Sequence, residues 1–174
     1  KAKEINSNLS NSIILSQFEN ENNPIAHYKN TIREIIEDLK DVDVIISGIG
    51  SGGTISGIGK YVKENNLDIE IIGVEPKESP LITKQVAFPH KIQGIGANFI
   101  PSILNQKVID KIILVSYEEA YSSSREVLRN EGLLIGISSG AVISAAKSLL
   151  EASSYQNKKI VLILPDSGER YSWD

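Results

Sequence analysis

The sequence Asp-Val-Asp-Val-Ile-Ile-Ser-Gly-Ile-Gly-Ser-Gly-Gly-Thr-Ile-Ser-Gly-Ile-Gly-Lys-Tyr, residues 41–61, predicts a strand, a glycine turn and a helix in direct succession. The apolar run at 42–46 is typical of a buried strand, and an amphipathic helical pattern begins near Thr54. The turn between them holds four glycines, Gly48, Gly50, Gly52 and Gly53. Glycines let backbone N–H groups approach an anion without Cβ clashes, and the helix N-terminus adds partial positive charge. The stretch therefore predicts a site for a phosphorylated small molecule.

The same glycines leave a dinucleotide site open as an alternative. Gly48-x-Gly50-x-x-Gly53 matches the dinucleotide fingerprint, and Glu75 ends the next predicted strand near the position of a ribose-binding acid. This match has little specificity, because any phosphate site between a strand and a helix collects glycines. A tight turn without a ligand is a third interpretation, but one or two glycines would suffice for it.

Composition narrows the class of protein. The chain has 174 residues, 41% hydrophobic and 23% charged, which is typical of one globular domain. The net charge of −4 is spread along the chain, so we expect no nucleic-acid partner and no anionic membrane surface. We also expect a cytoplasmic protein, because neither a membrane-spanning run nor a signal peptide is visible.

The content of cysteine and histidine limits the kinds of catalytic and metal site that the chain can form. The sequence has no cysteine, which excludes disulfides, thiolate metal sites and a cysteine nucleophile. It has two histidines, His27 and His90, which leave little material for a zinc site or a histidine-based catalytic site. It also has no methionine, so we expect Lys1 to follow a processed or longer N-terminus.

Strand and helix patterns alternate along the chain, which predicts an α/β fold. Strands are predicted at 42–47, 69–75, 111–116 and 159–164, and helices at 24–39, 54–65, 116–130 and 139–150. Ser116 and Glu119 form a predicted capping box. We expect parallel strands in an open, mostly parallel twisted sheet with helices on both faces, within one domain, 1–174.

Three clusters of small and polar residues follow predicted strands or open helices. They are residues 47–54, 138–140 and 165–168. Ligands of such sheets bind at the carboxyl ends of the strands, so we expect the clusters to converge on one site. Residues 77–107 show little periodicity, and a long irregular segment in a compact domain is usually functional.

Taken in order, these motifs resemble one enzyme family. Gly50-Ser51-Gly52-Gly53-Thr54 is similar to a phosphate loop and Gly136-Ile137-Ser138-Ser139-Gly140-Ala141 to a motif at a pyridine nitrogen. The other matching pieces are Gln17-Phe18, Asn23-Pro24 with His27, Val74-Glu75-Pro76, Pro89–Ala97 and Pro165–Tyr171. The ordered set resembles the cysteine synthase (O-acetylserine sulfhydrylase) family, the β-substituting enzymes of fold type II that use pyridoxal 5'-phosphate.

The resemblance implies a fold, a cofactor and a site. The fold would be the C-terminal large domain of a tryptophan-synthase-β-like enzyme. The residues implied to bind pyridoxal 5'-phosphate are Gly50, Ser51, Gly52, Gly53, Thr54, Ser138, Pro165 and Asp166, and those implied to bind substrate are Gln17 and Gly94.

The resemblance also implies an activity and partners. The activity would be formation of L-cysteine from O-acetyl-L-serine and sulfide by β-replacement. Cystathionine β-synthase, O-phosphoserine sulfhydrylase and serine dehydratase activities are close alternatives. A homodimer and binding of the C-terminal tail of serine acetyltransferase would follow as partners.

The sequence departs from the family pattern in its first half. The family's Schiff-base lysine and its substrate-carboxylate loop lie upstream of the matched motifs, so no catalytic residue is assigned in this chain. We therefore expect the C-terminal part of a longer two-domain enzyme, with a non-catalytic binding module as the alternative. Asn98 stands where the family commonly has glycine.

Several site residues also have structural interpretations. Ser138 or Ser139 could cap the helix that follows them, and Asp166 could serve as a turn residue. His27 is expected to make structural hydrogen bonds, and His90 is expected in an exposed loop.

Overall fold

A computed structural model describes residues 1–171 and 173, so Asp174, the last residue of the predicted domain, lies outside the described residues. Four strands form one sheet: β1 (Val44–Gly48), β2 (Glu70–Pro76), β3 (Lys111–Val115) and β4 (Ile160–Leu162). Their order is β3-β2-β1-β4, and every neighbouring pair is parallel. The predicted α/β class with a parallel sheet is confirmed.

Helices connect and cover the strands. The α-helices are α1 (Ala2–Asn8), α2 (Asn22–Ala26), α3 (Ile32–Asp38), α4 (Gly53–Glu64), α5 (Leu81–Lys84), α6 (Tyr117–Glu131) and α7 (Ile137–Leu150). Short 3-10 turns are at Gln106–Val108, Ser153–Tyr155 and Gly168–Arg170, and a π-helical turn is at His27–Thr31. Across residues 1–171 and 173, none of these helices combines the length and apolar character needed to cross a bilayer.

The sheet is buried on both faces, as the continuous apolar strands predict. Alternate residues of β1 point to opposite faces, so Val44 and Ile46 pack with α7 while Ile45 packs with α3 and α4. Residues of β2 divide in the same way, with Ile72 on the α7 side and Ile71 on the α4 side. The molecule therefore has three layers, with one apolar core on each face of the sheet.

The strand order creates a crevice beside β1. The chain adds β2 and then β3 on one side of β1, whereas β4 lies on the other side. Where the connections from two neighbouring strands lead to opposite sides, a crevice opens at the carboxyl ends of the strands. Ligands of α/β sheets bind in this crevice. The glycine turn after β1 and the segment after β4 meet at this edge.

The helix predicted at 24–39 is three pieces rather than one. α2 and α3 are joined by the π-helical turn, which widens the backbone at His27–Thr31. This segment lies against α4, because a Cβ atom on Gly57 would be 2.2 Å from the carbonyl oxygen of Pro24 and 2.8 Å from the Cβ atom of His27. Apolar spacing did not predict the turn, because the apolar residues from Ile25 to Leu39 fit one continuous amphipathic helix.

The predicted capping box of α6 is confirmed. The Ser116 hydroxyl accepts a hydrogen bond from the Glu119 backbone, and the Glu119 side chain accepts one from the Ser116 N–H. The same helix packs closely on α7 at Gly140, where a Cβ atom would lie 2.0 Å from Ser124 Oγ and 2.1 Å from the Ala120 carbonyl oxygen.

This close packing gives a stability prediction. Gly140→Ala should lower the free energy of unfolding by about 3 kcal/mol, because backbone atoms of α6 must move to admit the methyl group. Gly132→Ala is the matched control: its Cβ would meet nothing within 4 Å, and only the left-handed backbone at φ +70° opposes it. The control should lose about 1 kcal/mol. Urea unfolding of both variants measures the difference, and equal losses would contradict the packing of α6 on α7.

Candidate functional site

A cleft of about 550 Å³ opens at the carboxyl edge of the sheet, between β1 and β4. It is lined by segments that lie far apart in the sequence: Gln17, Ser47, Gly48, Gly50, Ser51, Gly52, Thr54, Gly94, Ile95, Ser138, Val142, Ile163, Pro165, Asp166 and Arg170. The cleft brings together every sequence-predicted site residue except Gly53. The volume is in the range of small-molecule sites.

Gly53 has a different neighbour. A Cβ atom there would lie 1.9 Å from Asn23 Oδ1, so the absence of a side chain makes room for Asn23 rather than for a ligand. Asn23 was noted in the sequence only as part of a family motif. Nothing in its local pattern predicts that it would lie against the glycine turn.

The start of α4 has the features of an anion site. Gly52 is the N-cap residue with φ +82° and has no side chain to cap the helix, while the Gly53 N–H donates to Ser51 Oγ at 3.3 Å. The first N–H groups of an α-helix have no partner within the helix, and their partial positive charge attracts anions. A Cβ atom on Gly50 would lie 2.4 Å from the Gly94 carbonyl oxygen, so glycine at this position lets the two loops meet.

The side chains of Asn23 and His27 contact the hydroxyl groups of Ser51 and Thr54. Asn23 Nδ2 donates hydrogen bonds to Ser51 Oγ at 3.0 Å and to the Gln17 carbonyl oxygen at 2.8 Å. His27 Nε2 lies 3.2 Å from Thr54 Oγ1. Burial lowers the pKa of His27, which favours the neutral imidazole. The expectation that His27 makes structural hydrogen bonds agrees with these contacts.

A second helix, α7, begins at the other end of the cleft. Its N-cap is Gly136, and no described side chain caps it. The expectation that Ser138 or Ser139 caps this helix is therefore wrong: both lie inside its first turn. Ser138 lines the cleft and is 4% exposed, so its hydroxyl is a buried polar group at this end of the cleft.

Asp166 faces Ser138 across this end of the cleft. Tyr171 donates a hydrogen bond to Asp166 Oδ2, whereas Oδ1 is buried and has no hydrogen-bond partner among the described residues. A Cβ atom on Gly136 would lie 2.2 Å from Oδ1, so Asp166 packs against the start of α7. Burial and the neighbouring Asp166 raise the pKa of Tyr171 to about 12, which keeps the phenol a hydrogen-bond donor at neutral pH.

The segment at 94–98 closes one side of the cleft. Gly94 and Gly96 have φ angles of +92° and +67°, and the Gly96 N–H donates to the Ile49 carbonyl oxygen at 2.9 Å. His90 Nε2 contacts the Gly96 carbonyl oxygen at 2.7 Å, so His90 supports this segment and the expectation of an exposed loop histidine is wrong. Asn98 also has positive φ, +57°, which asparagine tolerates better than most residues in a position that suits glycine.

Glu75 does not support a dinucleotide site. Its side chain is 3% exposed, and its carboxylate accepts hydrogen bonds from Ile82 N, from Thr83 N at 3.2 Å and from Thr83 Oγ1 at 2.9 Å. The carboxylate therefore satisfies the start of α5 and is not available to a ribose in the cleft. Within residues 1–171 and 173, no group of three or more His, Cys, Asp or Glu side chains could hold a metal ion.

A larger cavity, about 630 Å³, lies beside α4 and α2. Its charged lining mixes Lys29 and Lys60 with Glu21 and Glu64, and it is not lined by the glycine turn at Gly50–Thr54. The smaller cleft is the better candidate, because the start of α4, the hydroxyls of Ser51 and Thr54 and the reversal of strand order all meet there.

Asn23 gives a prediction that tests this arrangement. Asn23→Asp replaces the donating amide by a carboxylate that faces the Gln17 carbonyl and Ser51 Oγ, so the free energy of unfolding should fall by about 2 kcal/mol. Asn22→Asp carries the same charge change at an exposed neighbouring position and should change stability by less than about 0.5 kcal/mol. Urea unfolding of the two variants is the measurement, and equal stability would show that Asn23 does not connect these segments.

Comparisons with known proteins agree with the geometry of the cleft. A sequence profile of the family described as "Pyridoxal-phosphate dependent enzyme" matches residues 1–166. Cysteine synthase B of Campylobacter jejuni is 51% identical over 172 residues, which cover 98% of this chain and 56% of that protein. The crystal structure of cysteine synthase (OASS) from Entamoeba histolytica superposes with a TM-score of 0.91 at 39% identity, over 97% of this chain and 50% of that one.

A relative with a different name has nearly the same fold. The structure of an O-acetylserine dependent cystathionine beta-synthase from Helicobacter pylori superposes with a TM-score of 0.89 at 37% identity, over 99% of this chain and 56% of that one. The chain spans about half the length of each of these three proteins. The family's cofactor is the pyridoxal phosphate that the sequence motifs imply. On the match over residues 1–166, the chain belongs to the pyridoxal-phosphate dependent enzyme family.

Proposed function

We propose that the protein carrying this chain is a cysteine synthase, which forms L-cysteine from O-acetyl-L-serine and sulfide with pyridoxal 5'-phosphate. The observation that carries the proposal is the convergence of the glycine turn, Ser138 and Asp166 on one cleft at the start of α4. In this proposal, residues 1–174 are the cofactor-binding domain of a longer two-domain enzyme, and the Schiff-base lysine lies outside them.

The phosphate group of the cofactor binds at the start of α4. Backbone N–H groups of the glycine turn and the hydroxyls of Ser51 and Thr54 supply the donors, and the helix supplies partial positive charge. The described geometry fits such a group, because the N-cap residue Gly52 has no side chain and the helix start lines the cleft. Gly50, Gly52 and Gly53 shape the turn, although Gly53 acts by admitting Asn23.

The ring of the cofactor lies toward α7. Pyridoxal phosphate, when bound, supplies an electron-withdrawing ring that stabilises negative charge developing on an amino-acid substrate. Ser138 would offer its hydroxyl to the pyridine nitrogen, and a hydroxyl cannot hold that nitrogen protonated as a carboxylate would. Pro165 and Asp166 form the wall at the edge of the ring, where Tyr171 orients the Asp166 carboxylate.

The substrate end is the part of the cleft between Gln17 and Gly94. Both residues are exposed at its mouth, so a small amino acid can reach them from solvent. The Gln17 backbone is fixed by Asn23, the side chain that also contacts the phosphate turn. The positive φ of Gly94 presents its backbone close to the cleft without a side chain.

Cystathionine β-synthase is the second candidate activity. The Helicobacter pylori relative, with a TM-score of 0.89, is named for that product and for the same O-acetylserine donor. O-Phosphoserine sulfhydrylase and serine dehydratase activities remain alternatives within the fold, and a non-catalytic binding module remains the alternative for the chain alone. The homodimer, the serine acetyltransferase tail and a cytoplasmic location stay predictions of the family resemblance.

Initial rates with matched substrates test the proposal. The intact protein, supplied with pyridoxal 5'-phosphate, should release L-cysteine from O-acetyl-L-serine and sulfide faster than from O-phospho-L-serine and sulfide. Replacing sulfide by L-homocysteine should lower the rate, because the proposed acceptor is sulfide. A faster reaction with homocysteine would support the second candidate, and no turnover of any pair by protein that retains bound cofactor would contradict an enzymatic role.

A further inference from the structure

The contacts of Ser51 in the glycine turn leave the proton of its hydroxyl available to an anion. Asn23 Nδ2 contacts the Gln17 carbonyl oxygen, which can only accept a hydrogen bond, so this contact fixes Nδ2 as the donor. The same amide group also contacts Ser51 Oγ at 3.0 Å, and the Gly53 N–H contacts that oxygen at 3.3 Å. Ser51 Oγ therefore accepts hydrogen bonds from Asn23 and Gly53, and its own proton is free to point into the cleft.

His27 holds the second hydroxyl, that of Thr54, but its protons can be arranged in two ways. Nδ1 lies 2.9 Å from Thr31 Oγ1, and Nε2 lies 3.2 Å from Thr54 Oγ1. A neutral imidazole carries one proton, so one nitrogen donates and the other accepts. With the proton on Nε2, His27 donates to Thr54 and accepts from Thr31. With the proton on Nδ1, Thr54 must donate to His27, and its proton is no longer available to a ligand.

We propose that His27 is a positioning residue that carries its proton on Nε2 and thereby turns the hydroxyl proton of Thr54 toward the anion. The inference rests on the proposed function, because it assumes that the cleft binds the phosphate group of the cofactor. A phosphate group accepts hydrogen bonds at the oxygens that face the turn, so a Thr54 proton directed at His27 would leave two acceptors facing each other. The lowered pKa of His27 agrees with a neutral ring.

The backbone places the ring between the two threonines. His27 opens the π-helical turn and Thr31 ends it, and the spacing of four residues puts both side chains on one side of the helical segment. Gly57 of α4 lets the ring approach, because a Cβ atom there would lie 2.8 Å from the Cβ atom of His27. π-Helical turns are frequent at functional sites, and this one has the imidazole as its link to the cleft.

A pair of amide substitutions separates the two nitrogens of His27. Glutamine extends its amide nitrogen about as far as Nε2, whereas asparagine carries the same group only as far as Nδ1. His27→Gln should leave the dissociation constant for pyridoxal 5'-phosphate within about threefold of the parent, because it keeps a donor to Thr54. His27→Asn should raise it about tenfold. Neither should change the affinity for pyridoxal, which has no phosphate group.

A double-mutant cycle tests whether His27 acts through Thr54. Thr54→Val removes the hydroxyl and keeps the shape of the side chain, so His27→Asn should have no further effect on affinity in that background. The ¹⁵N chemical shifts of His27 in the intact protein, assigned by comparison with His27→Gln, should show a protonated Nε2 when pyridoxal 5'-phosphate is bound.

Three outcomes would overturn the inference. They are a proton on Nδ1 in the bound protein, an equal loss of affinity for pyridoxal in His27→Asn, or the same tenfold loss in the Thr54→Val background. In each of these the parent still binds pyridoxal 5'-phosphate more tightly than pyridoxal, so the proposed function survives. A parent that binds the two compounds equally would overturn both proposals, because the turn would then hold no phosphate group.

Discussion

Helix α4 begins at the carboxyl edge of the sheet with partial positive charge on its first backbone N–H groups, and the site is organised around this polarity. The N-cap residue, Gly52, has no side chain that could accept a hydrogen bond. The strand before the helix, β1, lies at the point where the strand order reverses, with β2 on one side and β4 on the other, so the helix start faces an open crevice. An anion in this crevice would supply hydrogen-bond acceptors for backbone N–H groups at the start of α4.

The residues around the start of α4 leave its partial positive charge accessible to an anion in the cleft. Asn23 and His27 contact the hydroxyls of the turn from the side away from the cleft, and Gly53 and Gly57 give these side chains room. Glu75 would compete as an anion, but its carboxylate is buried at the start of α5. The acidic group that does face the cleft, Asp166, lies near the start of α7 and is held by Tyr171.

Local patterns predicted the parts of the fold that depend on neighbouring residues. The apolar run of β1, the glycine turn and the Ser116 capping box are local, and the structure has all three. Asn23 contacts Ser51, which lies far away in the sequence, so no spacing rule could predict that contact. His90 contacts Gly96 within one irregular segment, where there is no periodicity from which to predict the contact. The expected cap of α7 was wrong because serine is a favoured N-cap residue, which made Ser138 and Ser139 the obvious candidates. The helix begins earlier, with Gly136 as its N-cap residue.

Backbone amide hydrogen exchange tests the central claim most directly, because it reports on the chain's own N–H groups. Adding pyridoxal 5'-phosphate to the intact protein should slow exchange at Gly50–Ile55, around Gly94–Gly96 and around Gly136–Ser139, while Ser102–Asn105 beside the larger cavity should not change. Slower exchange at Ser102–Asn105 with no change at the glycine turn would contradict the account, since it would place the ligand on the other side of α4.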